Sequence, residues 1–241
     1  MTGLTVVLPT FNERETIVSV LGDLIDVAKT LDVPVELLVV DDNSPDGTAR
    51  RVTELFATSP MVRVHVRAER GLATAVRDGI DVAKHDAVLL MDTDGNHDPR
   101  TVPALVMALA TADVAVGSRF VPGGGMPHAR GRHLLSRLFN AWACRLLGLP
   151  VHDCLSGFLC FRRVVLEGVN RDTIFTGYGD YAIRLLHAVN RRGGSLVEVP
   201  AAYGPRRGGE SKTRFVAIFA RYFASVIRLW RADRARPATR R

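Results

Sequence analysis

Three short polar clusters each follow an apolar run, and together they carry the chemistry this chain offers. Pro9-Thr10-Phe11-Asn12-Glu13 follows Leu4–Leu8, Asp41-Asp42-Asn43-Ser44 follows Val35–Val40, and Asp92-Thr93-Asp94 follows Ala87–Met91. Two carboxylates at i and i+2 beyond a buried strand can hold a hard divalent cation, which in turn grips a nucleotide diphosphate. Asn96 adds another oxygen donor. One acidic turn of this kind serves helix capping as readily as binding, but three on one sheet edge point to a site. Neither the dinucleotide pattern G-x-G-x-x-G nor a glycine-rich P-loop follows the first run, since Pro9–Glu13 contains no glycine. The phosphates of a ligand therefore need a partner other than a backbone cradle, and a cation held by Asp92-x-Asp94 offers one.

These clusters need a scaffold that brings strand ends together. Strands are expected at 4–8, 35–40, 62–66, 87–91 and 113–116. Helices are expected at 13–31, 71–84 and 101–110, with a helix start after Asp46-Gly47. Continuous apolar strands alternating with amphipathic helices predict a parallel sheet covered on both faces. In such sheets ligands sit beyond the carboxyl ends of the strands, where the three clusters fall. The second half predicts helices at 133–147 and 180–191 and strands at 157–161 and 196–199. The stretch Pro122–Arg132, rich in glycine, is expected to be a mobile lid that orders on ligand binding.

Composition narrows the function classes. The 241 residues are 47% hydrophobic and 24% charged, which suits one domain with a real core and excludes a disordered chain. No run reaches the roughly 18 apolar residues of a membrane-spanning helix. Met1-Thr2-Gly3 shows no basic leader, and three cysteines without C-x-x-C spacing predict a reduced, cytosolic compartment. The net charge of +7 is unevenly placed: residues 203–241 carry eleven positive and two negative charges, leaving the rest at −2. A nucleic-acid-binding domain spreads its basic face over the fold, so no nucleic-acid partner is expected. His128 and His133 lack a third ligand at metal spacing, and His97 reads as a polar neighbour of the carboxylates.

The strings LPTFNERETI (8–17), VVDDNSPDGTA (39–49), MDTDGNHDP (91–99), GSRF (117–120), LSR (135–137), DCLSGFLCFRR (153–163) and RRGGESK (206–212) occur in an order that resembles family 2 glycosyltransferases. Specifically, they resemble the dolichol- and polyprenol-phosphate mannose synthase branch. It implies an α/β GT-A (Rossmann-like) domain over 1–212, a mostly parallel sheet with helices on both faces, and Mg²⁺ or Mn²⁺ as cofactor. It also implies inverting transfer of a sugar, mannose from GDP-mannose, onto a polyprenyl phosphate at the cytosolic face of the membrane. A different donor such as a UDP-sugar, or a different acceptor, is the alternative. A nucleotidyltransferase would want a glycine-rich first loop.

By the same resemblance Pro9, Phe11, Glu13, Val40 and Asp42 line the nucleoside pocket, Asp42 accepting hydrogen bonds from base N–H groups. Asp92, Asp94 and Asn96 hold the metal, with Thr93 beside the ribose. Arg119, Arg206 and Lys212 neutralise phosphates, and Arg137 reaches the acceptor phosphate. That acceptor is a monoester with a second pKa of about 6, already largely dianionic at neutral pH, so a strong general base is unnecessary. The chain departs from the family at Phe11, often Tyr, and at Gly71-Leu72-Ala73, often G-L-G. It also departs at Ile183, where the pattern G-Y-x-F-Q-x-E/D has an acid; Asp180 lies one turn away.

The final segment, 213–241, is expected to be an amphipathic helix with a basic tail. Phe215, Ile218, Phe219, Tyr222, Phe223, Val226, Ile227 and Trp230 recur at helical spacing, with Arg214, Arg221 and Arg228 on another face. Such a helix could lie along an anionic membrane surface, the expected partner. The same stripe would also serve an ordinary surface helix docked on its own domain.

Overall fold

The unbroken apolar runs become strands buried on both faces. The computed structural model describes residues 1–127, 130–205 and 215–235, and seven strands among them form one sheet. They are β1 (Leu4–Thr10), β2 (Val35–Asp41), β3 (Val62–Val66), β4 (Ala87–Leu90), β5 (Val114–Ser118), β6 (Leu159–Arg162) and β7 (Leu196–Pro200), in the order β3-β2-β1-β4-β6-β5-β7. All pairings are parallel except those of β6, which runs antiparallel to both β4 and β5. Leu159–Phe161 is apolar read in either direction, so periodicity carried no sign of that reversal. Strand order turns back at β1, with β2 and β3 on one side and β4 on the other. That is the switch point where α/β sheets open a crevice.

β1 extends two residues beyond its apolar run, making Pro9 and Thr10 strand residues instead of loop. β4 ends at Leu90, opposite Val7, so Pro9 has no ladder partner to miss on that side. Its carbonyl accepts a hydrogen bond from Thr93 Oγ1 at 3.2 Å, tying the ends of β1 and β4 together.

Helices α1 (Ile17–Ala28), α2 (Thr48–Leu55) and α4 (Val102–Ala108) lie over one side of the sheet, burying Ile17, Leu21, Val52 and Leu105 against Leu4, Val6 and Leu8. Helices α3 (Leu72–Val82), α5 (Arg130–Leu147), α6 (Arg171–Ile174), α7 (Tyr181–Arg191) and α8 (Phe215–Ala235) build the other side against Val7, Val40 and Leu90. Gly79 lets α3 approach closely: a Cβ there would stand 2.4 Å from Val7 Cγ1 and 3.0 Å from Val40 Cγ2. The cysteines Cys144, Cys154 and Cys160 are free and buried.

The glycine-rich stretch is tied to the domain by Gly125, whose N donates to Ala201 O and whose O accepts from Tyr203 N. Arg130–Arg132 already belong to α5, while His128 and Ala129 lie outside the described residues. Among the described residues α8 is docked on the domain. Val226 is fully buried, and Phe219, Tyr222 and Trp230 pack on the core formed by α5 and α7. Arg184 donates to Ser225 Oγ at 3.0 Å, and His187 Nε2 lies 2.8 Å from Asp233 Oδ2. The stripe of bulky side chains thus finds its apolar partner within its own chain.

Truncation after Lys212 should therefore uncover this core and lower the melting temperature in a circular-dichroism scan. An unchanged melt would mean α8 contributes nothing to the core. A second prediction concerns Glu36, buried at the opposite end of β2. Burial raises its pKa, but Arg63 Nε at 2.7 Å, Lys84 N at 2.9 Å and Thr5 Oγ1 at 2.7 Å outweigh that and hold it below 4.5. Its stabilisation is therefore complete above the unfolded-chain value of 4.5 and is lost as pH falls through the lower folded value. Glu36→Gln should cost about 1–3 kcal/mol at pH 7 in denaturant titrations. The variant's stability should also fall less steeply than wild type below pH 4.5.

Candidate active site

The ends of β1, β2 and β4 form the walls of one cavity of about 310 Å³, and Pro9, Phe11, Glu13, Asp42, Thr93 and Asp94 all line it. The turn after β2 is what staples these ends. Asn12 N donates to Ser44 Oγ at 3.0 Å, Glu13 N to Thr48 Oγ1 at 3.1 Å and Arg14 N to Asp46 Oδ2 at 3.2 Å. The adjacent acids divide their work. Asp41 builds the turn, accepting from Ser44 Oγ (2.6 Å), Ser44 N (2.8 Å) and Thr10 Oγ1 (3.1 Å). Asp42 faces the cavity, held by Gly71 N at 2.7 Å and by the buried guanidinium of Arg67 at 3.2 Å. Arg67 also reaches Thr74 Oγ1 (3.0 Å) and Asp78 (3.1 Å). Opposite, the Arg70 guanidinium lies 4.5 Å over the Phe11 ring, giving the cavity a flat, cationic wall.

Asp92 and Asp94 leave β4 around Gly95, whose φ of +76° makes the turn. Asp94 is nearly buried, and its Oδ1 accepts from Asn96 N at 3.0 Å. The side-chain Oδ1 of Asn96 is buried without a hydrogen-bond partner. Two carboxylates and an orphaned amide oxygen are the hard donor set a Mg²⁺ or Mn²⁺ ion takes. Among the described residues no three His, Cys, Asp or Glu side chains cluster as a metal site; here the third oxygen comes from an amide. His97 secures this loop. Its Nδ1 accepts from Asp92 N at 3.1 Å, its ring stacks on Phe158 at 4.7 Å, and Tyr203 meets it edge-on at 4.6 Å. Burial drives its pKa down to about 4, helped by Arg119 and opposed by Asp94 and Asp153, so the ring is neutral.

Beyond Asp92 lies a second chamber of about 180 Å³, which shares Leu72, Asp92 and Tyr178 with the first. Asn96, Arg119, Tyr181 and Tyr203 line it, and α8 closes it with Ile218, Phe219 and Tyr222. Arg119 is not available as a loose cation. Its Nε and Nη2 grip the fully buried Asp153 at 2.7 Å each, and its own N–H adds a third bond at 3.0 Å. Burial opposes the charge, but Asp153 outweighs it and raises the arginine above its ordinary pKa.

Of the other residues expected at the site, some line neither cavity and some lie outside the described residues. Val40 does not reach either cavity, because its side chain points into the core beneath α3, where Gly79 receives it. Arg137 stands exposed on α5 and lines neither chamber; its neighbour Ser136 does. Arg206 and Lys212 lie outside the described residues. Asp180 does not replace the acid absent at Ile183: it accepts from Tyr178 N at 3.2 Å and pairs with Arg184, while Ile183 is buried core. Sequence reasoning missed Arg67 and Arg70, ordinary arginines in an arginine-rich chain. It also missed the chamber tyrosines, Tyr222 having been counted in the α8 stripe.

Residues 5–169 match the model of the family described as Glycosyl transferase family 2. The polyprenol monophosphomannose synthase of Mycolicibacterium smegmatis is 37% identical over 86% of this chain and 79% of its own length. The undecaprenyl-phosphate mannosyltransferase of Micrococcus luteus is 36% identical over 86% and 85%. In fold the chain is similar to the glucosyl-3-phosphoglycerate synthase of Mycobacterium tuberculosis, solved with Mn²⁺ and UDP-glucose, with a TM-score of 0.70 and 24% identity over 95% of this chain and 79% of that one. The sheet, the helices on both faces and this likeness make the fold GT-A. With a family match over most of its length and such relatives, the chain is an enzyme that belongs to glycosyl transferase family 2.

Proposed function

We propose that this enzyme moves mannose from GDP-mannose onto a polyprenyl phosphate, with inversion, at the cytosolic surface of a membrane. The observation that carries the reading is the gathering of Asp42, Asp92 and Asp94 around one cavity, with the partnerless oxygen of Asn96 beside them. The names of the relatives supply the sugar and the lipid acceptor. Asp42, oriented by Arg67 and Gly71, accepts hydrogen bonds from the N–H groups of the base, and Phe11 with Arg70 forms a flat wall against it. Asp92, Asp94 and Asn96 would hold Mg²⁺ or Mn²⁺, with Thr93 at the ribose, and such an ion would offset the charge that grows on the departing diphosphate.

The acceptor phosphate attacks the anomeric carbon as the bond to the diphosphate breaks, and it needs no base of its own because it is already mostly dianionic. The acids beside the second chamber fit that economy: Asp153 and Asp180 are each held by an arginine and stand as structural anions. Arg206 and Lys212 remain the proposed phosphate-neutralising cations, with Arg137 toward the acceptor; Arg119 contributes through the pair it forms with Asp153.

The membrane-facing surface follows from what α8 leaves uncovered. No helix among the described residues is long and apolar enough to cross a membrane. Leu134, Leu135 and Leu138 on α5 and Phe223 on α8 are 52–60% exposed, and Phe223 stacks on Trp142 at 4.5 Å, joining the two helices into one apolar face. Exposed Arg137, Arg145, Arg221 and Arg228 occupy the same helices. Apolar side chains ringed by arginine suit an anionic lipid surface, where each basic residue adds about 1 kcal/mol.

A transfer assay with a panel of GDP- and UDP-sugars, polyprenyl phosphate and Mn²⁺ should give butanol-extractable product from GDP-mannose. Product from a UDP-sugar alone would overturn the donor, and none from any donor would overturn the reaction. Asp94→Ala should lower the rate at least about a hundredfold without lowering the melting temperature. The double variant Leu138→Gln/Phe223→Gln should sediment less with anionic phosphatidylglycerol vesicles while binding GDP as wild type does. Undiminished sedimentation would move the membrane contact elsewhere.

A further inference from the structure

We propose that the second chamber seats the transferred hexose, and that the hydroxyls of Tyr181 and Tyr222 select which sugar is accepted; this rests on the donor reading above. The two cavities meet at Asp92. A nucleotide whose base lies at Asp42 and whose diphosphate lies at Asp92 and Asp94 must send its sugar onward through that junction. The chamber beyond, about 180 Å³, has room for a sugar ring rather than a polyprenyl chain.

Its chemistry also fits a neutral polyhydroxyl ligand better than a phosphate. Among the described lining residues the one guanidinium, Arg119, is neutralised by Asp153, and the carboxylate of Asp92 adds negative charge. Tyrosines supply what a sugar needs, an apolar ring face for its C–H groups and a hydroxyl for its O–H groups. Tyr203 has its hydroxyl engaged by Ser156 Oγ at 2.7 Å. Tyr181 and Tyr222 line the chamber and make no hydrogen bond to a described residue, which leaves each phenol O–H to donate.

Two glycines keep the space open. A Cβ on Gly157 would stand 3.6 Å from Tyr181 Oη and 3.8 Å from Asp92 Oδ1, in the gap between hydroxyl and carboxylate. A Cβ on Gly179 would come within 2.6 Å of Tyr222 Oη, so only glycine lets that hydroxyl lie against the loop. Tyr222 belongs to α8, which makes this helix a supplier of sugar contacts as well as a cover for the core.

The test uses the full chain with Mn²⁺ and compares GDP, GDP-mannose and GDP-glucose by calorimetry and competition kinetics. Tyr181→Phe and Tyr222→Phe remove one hydroxyl each and preserve the rings. GDP affinity should be unchanged, while the preference between the two sugars should shrink about three- to tenfold in each variant. Variants that keep the wild-type sugar preference would overturn the proposal and leave the donor reading intact. A raised KM for polyprenyl phosphate with sugar preference unaltered would also overturn it, assigning the chamber to the acceptor. A wild-type chain that binds no GDP would instead overturn the donor reading itself.

Discussion

Like charges crowd the carboxyl edge of this sheet, and the architecture of the site is an answer to their repulsion. Asp41, Asp42, Asp92, Asp94 and Asp153 all lie close to the ends of β1, β2, β4 and β5, and all but Asp92 are buried. Each of the buried ones has donors assigned to it. Asp41 has the Ser44 and Thr10 hydroxyls, Asp42 has Arg67 and the Gly71 N–H, Asp94 has the Asn96 N–H, and Asp153 has Arg119. Such charge-assisted bonds are about twice as strong as neutral ones and fix direction as well as distance. Asp92 and Asp94 follow β4 as a pair of hard oxygen donors, the kind of set a divalent cation takes.

Much of this was legible before any coordinates. Apolar runs such as Val35–Val40 specify strands because their residues bury both faces, and the acids that follow them fall at the sheet edge by topology alone. Pro9, Phe11, Glu13, Asp42, Asp92, Thr93 and Asp94 do converge on one cavity. What pattern could not convey was direction and depth. β6 reverses against its neighbours although its sequence reads the same both ways. Val40 and Asp42 sit two residues apart, yet one faces the core and the other, just past the strand, faces the cavity. The family resemblance makes Arg119 a phosphate ligand, and only the geometry adds its pairing with the buried Asp153.

Helix α8 shows a further limit of periodicity. A stripe of Phe, Tyr, Ile, Val and Trp states that one face must leave water, but it does not say what will cover it. Here the cover is α5 and α7, whose exposed apolar surface is adjacent in space though remote in sequence. The arginines that punctuate the stripe remain outside, and with the leucines of α5 they compose a different surface from the one the helix alone suggested.

Ile218, Phe219 and Tyr222 roof the second chamber, so if the sugar sits there α8 also governs what else can reach its anomeric carbon. Water is a competent, if poor, nucleophile, present at far higher concentration than any lipid phosphate. A lifted α8 would turn a transferase into a slow sugar-nucleotide hydrolase, consuming donor without product. On that reading, the contacts of His187 with Asp233 and Arg184 with Ser225, which hold α8 down, would guard chemical fidelity as well as stability.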